Sequence, residues 1–445
     1  MIETAPDELK QNQSVSSPAP SLGRRWLQWL TIGLGVKRWA LMALVGLIVA
    51  VFGAALAFAY VAVDFSLNVI TTLDGVTGHL LDSVGLGFAC LVLGAAGVAV
   101  GVSGIYRSIS RVYSNETRAD FIDVAMKRRR LDSGERIVAL GGGTGLSTML
   151  RGLKQYSSNI TAIVTMADDG GSSGMLREHG LLPPGDLRNC IAALAEAEPL
   201  MTDLFQHRFV GLGELKGHSL GNLFVAAMYE KTGDFDAAVR EVSKVLAIRG
   251  RVLPSTIEDI RLSAETKDGG TVMGQANVNK ARDILCVAIT PDDPPALPGA
   301  VEAIREAEII IIGPGSLFTS IIPNLLVPEI AEALKASRAP KIYVCNVMTQ
   351  PNETLGMSAA DHVRAIMRHI GQGVITHVLL NSTPIPAETL ERYQESGAMP
   401  VEIDENELEL LGVRPIHGPF LDASNVARHH PAKLATAIFR IAARL

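Results

Sequence analysis

Aromatic and charged residues are scarce in this chain of 445 residues. Phe, Trp and Tyr make up 5% of it and charged residues 19%, whereas hydrophobic residues reach 48%. A chain this apolar is neither disordered nor fibrous, and its composition indicates a membrane segment. The four cysteines lie far apart in the sequence, which excludes a metal knuckle or a redox pair and suits a reducing compartment.

Basic residues are too few for a general nucleic-acid-binding protein. Residues 1–133 contain 12 Lys+Arg and 10 Asp+Glu, a net charge of +2. The whole chain contains 40 and 46, so residues 134–445 hold 28 and 36, a net charge of −8. Nucleic-acid binding needs a basic surface, and we therefore expect no nucleic acid among the partners.

Two long runs without any charged residue lie in the first third of the chain. Residues 39–63 form a run of 25 and residues 83–106 a run of 24. A helix needs about 20 apolar residues to cross a bilayer, so the sequence predicts a two-helix transmembrane hairpin over 39–106. Residues 1–38 are predicted to be a disordered tail and a basic interfacial segment, and residues 107–133 a juxtamembrane linker.

The charges around these runs predict their orientation. Lys and Arg lie before the first run and after the second, whereas the loop 64–82 has three Asp and neither Lys nor Arg. The positive-inside rule then puts both termini in the cytoplasm, in a multi-pass protein of the cytoplasmic membrane. The basic run Lys127–Arg130 is either part of this topology signal or a lipid-binding site.

Residues 134–445 alternate short apolar runs with helix-like segments. Polar, Pro or Gly residues end each run, and the runs are 136–140, 160–166, 284–289, 309–312, 342–345 and 374–380. This pattern predicts an α/β fold with a Rossmann-like, doubly wound parallel sheet, whose ligands bind beyond the carboxyl ends of the strands. The less regular segment 199–283 is predicted to be a helical insertion.

A glycine-rich turn follows the first predicted strand. Glycines let the backbone approach a phosphate, and the next helix offers free N–H groups. The turn lacks the Walker A lysine and the spacing of a dinucleotide fingerprint, so it is either a phosphate or diphosphate site or only a tight strand–helix turn. Its candidate phosphate-binding residues are Gly142, Gly143, Thr144 and Gly145.

Two adjacent carboxylates, Asp168 and Asp169, follow the second predicted strand. An acid about 20 residues after the glycine turn binds ribose hydroxyls in a Rossmann unit. Adjacent carboxylates can also hold Mg²⁺. The remaining interpretation is an exposed acidic turn without a ligand.

Further polar side chains follow later strands or begin helices. Their hydroxyl, amide, imidazole and guanidinium groups suit contacts with a sugar or a phosphate, although each alone also fits an ordinary loop or helix start. The G-x-S-x-G elbow of hydrolases is absent around His218. The candidates are Ser172, His218, Asn222, Gly315, Ser316, Asn346, Thr349 and Arg428.

Six ordered motifs resemble the YvcK/CofD family, and are most similar to its YvcK branch, the gluconeogenesis factors. The motifs lie at 139–145, 168–174, 182–188, 217–223, 313–317 and 346–350. The resemblance covers about residues 134–445 and implies a Rossmann-like domain that binds a nucleotide diphosphate. It does not extend to residues 1–133, which shorter cytosolic members lack.

The resemblance implies different chemistry for the two branches. YvcK-like members bind UDP-N-acetylglucosamine or UDP-glucose and act in carbon metabolism, cell shape and peptidoglycan synthesis, without a settled reaction. Arg428 resembles the arginine that they use for the UDP-sugar, although His430-Pro431 departs from the family's Asp-Thr at this point. CofD-like members are Mg²⁺-dependent 2-phospho-L-lactate transferases of deazaflavin synthesis, in which Asp168 and Asp169 would lie at the metal.

We therefore expect a membrane-anchored, cytoplasmic UDP-sugar-binding regulator that requires no cofactor and acts on an envelope-synthesis protein. The alternative is a transferase that uses Mg²⁺. A deazaflavin acceptor needs an aromatic-friendly pocket, and the chain has no tryptophan after Trp39, which favours the regulator. The sequence leaves open which protein is regulated and whether a homo-oligomer forms.

Overall fold

The computed structural model describes residues 67, 71–72 and 121–445, except 197–198, 212, 423–425 and 444–445. The two predicted membrane spans, the predicted tail and most of the predicted linker lie outside the described residues. Within the described part, no single helix is long and apolar enough to cross a membrane. One bent pair, Leu317–Leu325 and Pro328–Ala336, meets that test jointly with an angle of 77° between its halves.

Twelve strands are assigned in the described part of the chain. They are β1 (Ile137–Gly141), β2 (Ile160–Val164), β3 (Arg251–Pro254), β4 (Arg261–Thr266), β5 (Thr271–Met273), β6 (Ile284–Thr290), β7 (Ile309–Ile312), β8 (Lys341–Val344), β9 (His377–Asn381), β10 (Arg414–Gly418), β11 (Leu421–Asp422) and β12 (Arg428–His429).

Fifteen α-helices are assigned in the same part. They are α1 (Phe121–Asp132), α2 (Gly143–Leu153), α3 (Gly171–Glu178), α4 (Gly185–Leu194), α5 (Pro199–Gln206), α6 (Leu220–Thr232), α7 (Phe235–Val245), α8 (Gln275–Val278), α9 (Pro298–Glu306), α10 (Ile322–Leu325), α11 (Pro328–Ala336), α12 (Ala359–Ile370), α13 (Ala387–Glu395), α14 (Glu405–Leu410) and α15 (Pro431–Ala442). A single-turn π-helix, Leu317–Ile321, precedes α10.

Seven of the strands form one parallel sheet in the order β10-β9-β8-β7-β1-β2-β3. The prediction of a parallel α/β sheet is confirmed. Every residue of β1, β2 and β7 is buried, as expected for strands covered by helices on both faces. The four isoleucines of β7 contribute roughly 1.5–3 kcal/mol each by this burial.

The strand order reverses between β1 and β7. From β1 the chain proceeds to β2 and β3 on one side, and it later returns to place β7, β8, β9 and β10 on the other. Ile137 of β1 pairs with Ile160 on one side and with Ile309 on the other. In open α/β sheets such a switch point opens a crevice at the carboxyl ends of the strands.

Two parts of the predicted topology need correction. Residues 284–289 were expected in the parallel sheet, but they form β6, which pairs antiparallel with β4 in a separate three-stranded sheet. Several side chains of β6 are exposed, as in a sheet with one solvated face. The segment 199–283 contains α5 to α8 but also three strands, of which β3 joins the main sheet.

Candidate functional site

The glycine turn connects β1 to α2 at the switch point. Gly142 precedes the first turn of α2 and has no side chain to accept its free N–H groups. Gly143 has φ +65°, a left-handed conformation that costs a residue with a Cβ roughly 1–2 kcal/mol. The turn therefore presents backbone N–H groups at a helix N-terminus, which is an arrangement that binds anions.

A second loop, which follows β7, lies directly against this turn. A Cβ atom added to Gly145 would lie 2.7 Å from the Pro314 carbonyl oxygen and 3.2 Å from the Gly315 nitrogen. Asn324 donates from Nδ2 to the carbonyl of Gly141 at 2.9 Å. The two loops therefore approach each other closely because position 145 has no side chain.

The loop that follows β8 completes the site. Asn346 donates from Nδ2 to the Gly315 carbonyl at 2.9 Å, and Gln350 donates from Nε2 to Ser316 Oγ at 2.7 Å. Thr349 Oγ1 accepts from the N–H of Met399 at 2.9 Å. Side chains from this loop thus hold the neighbouring loop in place.

These three loops enclose a cavity of about 320 Å³, which we call the switch-point cavity. Its lining includes the glycine turn, Gly315 and Ser316, and also apolar and aromatic groups such as Met348 and Tyr393. Among its described lining residues there is no carboxylate, and Arg428 is the one Lys or Arg. The polar lining groups suit a phosphate, and the apolar groups suit a flat ring.

Nine of the fourteen predicted ligand-binding residues line this cavity. They are Gly142, Gly143, Thr144, Gly145, Gly315, Ser316, Asn346, Thr349 and Arg428. Arg428 is exposed at the start of β12, beside the buried His429, whose imidazole pKa is lowered to about 4 by burial. The cavity's positive charge at neutral pH therefore comes from Arg428.

The other predicted residues lie outside this lining, and three of them form a hydrogen-bonded cluster. Ser172 Oγ lies 3.1 Å from His218 Nδ1 and accepts from Asn222 Nδ2 at 2.9 Å. Ser172 and Asn222 are buried, and Asn222 Oδ1 has no partner among the described residues. The cluster joins the N-terminal turns of α3 and α6.

The adjacent carboxylates have different surroundings. Asp169 accepts from the N–H groups of Gln275 (2.9 Å) and Ala276 (2.7 Å), so both of its oxygens cap α8. Asp168 accepts from the N–H of Gly170 at 3.1 Å. One oxygen of Asp168 thus remains available for another ligand, whereas both oxygens of Asp169 accept hydrogen bonds from α8.

Asp186, which sequence reasoning missed, connects the glycine turn with Asp168. A Cβ on Gly142 would lie 2.3 Å from Asp186 Oδ2, so the carboxylate packs directly on the turn. Burial and the nearby charge of Asp168 raise the pKa of Asp186 to about 6, although the Gly143 N–H opposes this. The signal available in the sequence was the motif 182–188, which contains Asp186.

Glu353 is a second missed residue, and it lies under the loop that follows β7. Its buried carboxylate accepts from the Phe318 N–H at 3.2 Å and from Thr319 Oγ1 at 2.5 Å. Burial raises its pKa to about 7 despite these hydrogen bonds. Glu353 thereby fastens the loop after β8 to the helical turn that follows Ser316.

A divalent cation would find two neighbouring carboxylates here. In the described ranges no group of three or more His, Cys, Asp or Glu side chains is arranged to hold a metal ion. Mg²⁺ is usually held by one or two carboxylates together with substrate phosphates and water. Asp168 and Asp186 fit that requirement beside the glycine turn, while Asp169 is engaged with α8.

Comparisons with known proteins match this chain to a transferase family model and to gluconeogenesis factors. Residues 137–421 match the family model described as 2-phospho-L-lactate transferase CofD. The gluconeogenesis factor of Bacillus subtilis is 51% identical over 304 residues, which are 68% of this chain and 96% of that protein. A crystal structure of a Bacillus halodurans protein has a TM-score of 0.68 and 49% identity, over 69% of this chain and 100% of that chain.

The relatives have two lengths. A Nostoc sp. relative is 46% identical over 435 residues, which are 97% of this chain and 95% of that protein. The Bacillus relatives match only about two thirds of this chain although nearly all of their own length is used. The N-terminal third is therefore shared with some relatives, and the remaining part exists elsewhere as a complete protein.

Proposed function

Because the chain belongs to the CofD family, in its gluconeogenesis-factor branch, we propose that it is a UDP-sugar-binding regulator. The ligand in this proposal is UDP-N-acetylglucosamine or UDP-glucose. Its binding state would report carbon supply to proteins of peptidoglycan synthesis and cell shape. The two uncharged N-terminal runs would anchor it in the cytoplasmic membrane, with both termini in the cytoplasm.

The observation that carries this proposal is the composition of the switch-point cavity. Its glycine turn offers backbone N–H groups to a diphosphate, although Asp186 already accepts the N–H of Gly143, and Arg428 supplies the positive charge of the described lining. The ring of Tyr393 and the side chain of Met348 form an apolar wall for a flat base. A nucleotide diphosphate needs both kinds of surface.

A transferase that uses Mg²⁺ is the second candidate. Asp168 and Asp186 support it because the charge of Asp168 contributes to the raised pKa of Asp186, and Asp186 contacts the glycine turn. A cation held there would neutralise a diphosphate and stabilise the charge that develops as its bond to a leaving group breaks. The name of the matched family model fits this reaction.

Calorimetry of the full chain with UDP-N-acetylglucosamine, UDP-glucose, GDP and NAD tests the regulator. We expect binding of a UDP-sugar that tolerates EDTA and leaves the ligand intact after long incubation. Charge-assisted hydrogen bonds contribute about 1.5–3 kcal/mol, so Arg428→Ala should weaken binding roughly ten- to a hundredfold. Arg305→Ala, a change of an exposed arginine on α9, is the matched control and should leave the affinity unchanged.

The same samples separate the two candidates. Breakdown of the UDP-sugar that requires Mg²⁺ and is lost in both Asp168→Asn and Asp186→Asn would favour the transferase. Binding of GDP in preference to every UDP-sugar would also contradict the proposed ligand. An affinity that is equal in Arg428→Ala and Arg305→Ala would remove the role given to Arg428.

A further inference from the structure

A second cavity lies on the far edge of the main sheet, between β10 and α15. It measures about 530 Å³, and we call it the basic groove. Its wall contains Arg414 of β10 and Lys433 and Arg440 of α15, with no Asp or Glu among its described lining residues. Nothing in the proposed UDP-sugar site uses these residues.

The three cations of the groove have no ion-pair partner in the part of the chain that the structure describes. Lys433 lies in the first turn of α15, where the helix dipole disfavours a positive charge. Arg440, by contrast, lies in the last turn, where the dipole favours one. The helix dipole therefore does not stabilise Lys433, whereas an anion bound in the groove would.

His377 adds little charge to the groove. Burial and the nearby Arg414 lower the pKa of His377. His417 Nε2 lies 3.0 Å from Glu405 Oε1, so this carboxylate of α14 is already engaged at the rim. The binding charge of the groove is thus that of Arg414, Lys433 and Arg440.

The spacing of the cations identifies the shape of the ligand. Lys433 and Arg440 are seven residues apart on one face of α15, a separation of about 10 Å along the helix axis. One small anion would leave part of this charge unpaired, whereas several carboxylates spaced along an extended chain can pair with all three cations. Of the apolar lining residues, Ile416 is half-buried, whereas Phe420 and Ile441 are buried and add little surface for a ligand.

The exposed edge of β10 argues against recognition by strand addition. Arg414 donates its N–H to Thr376, toward β9, so the next residue, Pro415, faces the open edge and has no N–H to offer. Pro415 therefore weakens strand addition at this edge and favours recognition by the cationic side chains. We propose that the basic groove binds an extended, acidic segment of a partner protein.

The groove also adjoins the helix of the glycine turn. Thr436 of α15 shares a 2.8 Å hydrogen bond with Tyr156, whose ring stacks on Phe439 with centroids 4.7 Å apart. Tyr156 follows α2 closely in sequence. The proposal goes beyond the proposed ligand site and does not depend on it, because the groove has its own residues and its own test.

Fluorescence anisotropy of the full chain, kept in a mild non-ionic detergent, tests the proposal. The probe is a labelled ten-residue peptide of Glu with Leu at every third position, and the control peptide has Lys in place of Glu. We expect the acidic peptide to bind, the Lys peptide not to bind, and higher salt to weaken binding several-fold. The variant R414E/K433E/R440E should bind at least tenfold more weakly.

A matched variant and three competitors keep the test decisive. K280E/R305E reverses two exposed cations elsewhere and should bind the peptide within twofold of the unchanged protein. Equal loss in both variants, or no binding of the acidic peptide, would overturn the proposal. So would full displacement by inorganic phosphate, by phosphatidylglycerol added to the micelles, or by self-association of the chain. UDP-sugar calorimetry of R414E/K433E/R440E reports separately on the ligand site and on folding.

Discussion

Replacing Gly145 by alanine tests whether the close approach of two loops creates the ligand site. The added Cβ would lie 2.7 Å from the Pro314 carbonyl oxygen, and ordinary contact begins at 3.4 Å. The difference, 0.7 Å, must be met by moving backbone, because the three nearest atoms all belong to the backbone of Pro314 and Gly315. The glycine turn and the loop after β7 should therefore move apart in the variant.

The expected magnitudes follow from two opposing terms. Alanine is favoured over glycine within a helix by about 1 kcal/mol, whereas overpacking costs typically 1–3 kcal/mol. The free energy of unfolding should therefore fall by no more than about 2 kcal/mol. The affinity for the ligand should fall by more than the stability. A shift of this size misaligns the backbone N–H donors, whose hydrogen bonds to the phosphate contribute about 1.5–3 kcal/mol. Their loss corresponds to a roughly ten- to hundredfold weaker affinity.

The assay pairs calorimetry of UDP-N-acetylglucosamine binding with urea denaturation. Gly299→Ala is the control, since Gly299 also lies near the start of a helix but its added Cβ would be 3.6 Å from the nearest atom, Leu253 Cδ1. That variant should gain stability and bind normally. Unchanged binding in Gly145→Ala, with its fold intact, would refute the idea that close loop contact shapes the site.

Three further predictions concern buried charge, capping and topology. The pKa of Glu353 is about 7 in the folded protein against 4.5 ordinarily, so the folded state holds its proton more tightly and the free energy of unfolding should fall as the pH rises from 4.5 to 7, by roughly 3 kcal/mol at most. Glu353→Gln should remove this part of the slope in urea denaturation at pH 5 and pH 8, and an identical slope would contradict the assignment. Asp169→Ala should lower stability by about 1–2 kcal/mol by uncapping α8 and leave UDP-sugar affinity unchanged in calorimetry; a tenfold loss of affinity at unchanged stability would give Asp169 to the ligand instead. A reporter that is active only outside the cytoplasm should be inactive when fused after residue 445, and activity would disprove the predicted orientation.

The central strands could be predicted because their side chains carry a strong signal. The short runs Ile309–Ile312 and Ile160–Val164 are rich in β-branched residues and are buried. Such runs are typical of the central strands of a parallel sheet. The edge strand Arg414–Gly418 has no such signal because it contains Pro, His and Gly, and proline is tolerated at an edge. The run 284–289 has the sequence of a buried strand, although several of its side chains are exposed. The sequence alone does not show which apolar side chains become buried and which become exposed.

The residues of the candidate site also divide into those that the sequence predicts and those that it does not. Gly142, Gly315 and Asn346 could be found because they follow strands whose carboxyl ends meet at one edge. Asp168 and Asp169 could not be told apart, because only the position of α8 decides which carboxylate becomes a cap. Glu353 has no local pattern at all, and its role arises from burial beside a helical turn that is distant in the sequence.

The two candidate functions require the negative charge of Asp186 to be compensated in different ways. Its carboxylate packs on Gly142 and receives the N–H of Gly143, so a negative charge already lies beside the turn that would hold a diphosphate. A bound diphosphate must therefore be accompanied by a proton on Asp186, by a cation shared with Asp168, or by attraction to Arg428 that outweighs the repulsion. A regulator needs only reversible binding, so it can use either the proton or Arg428. If it uses the proton on Asp186, its affinity without metal should rise as the pH falls through about 6. A transferase needs the cation, because the charge that develops on a leaving phosphate must be neutralised during the reaction itself. Dependence of binding on EDTA and on pH together thus distinguishes the two functions at one carboxylate.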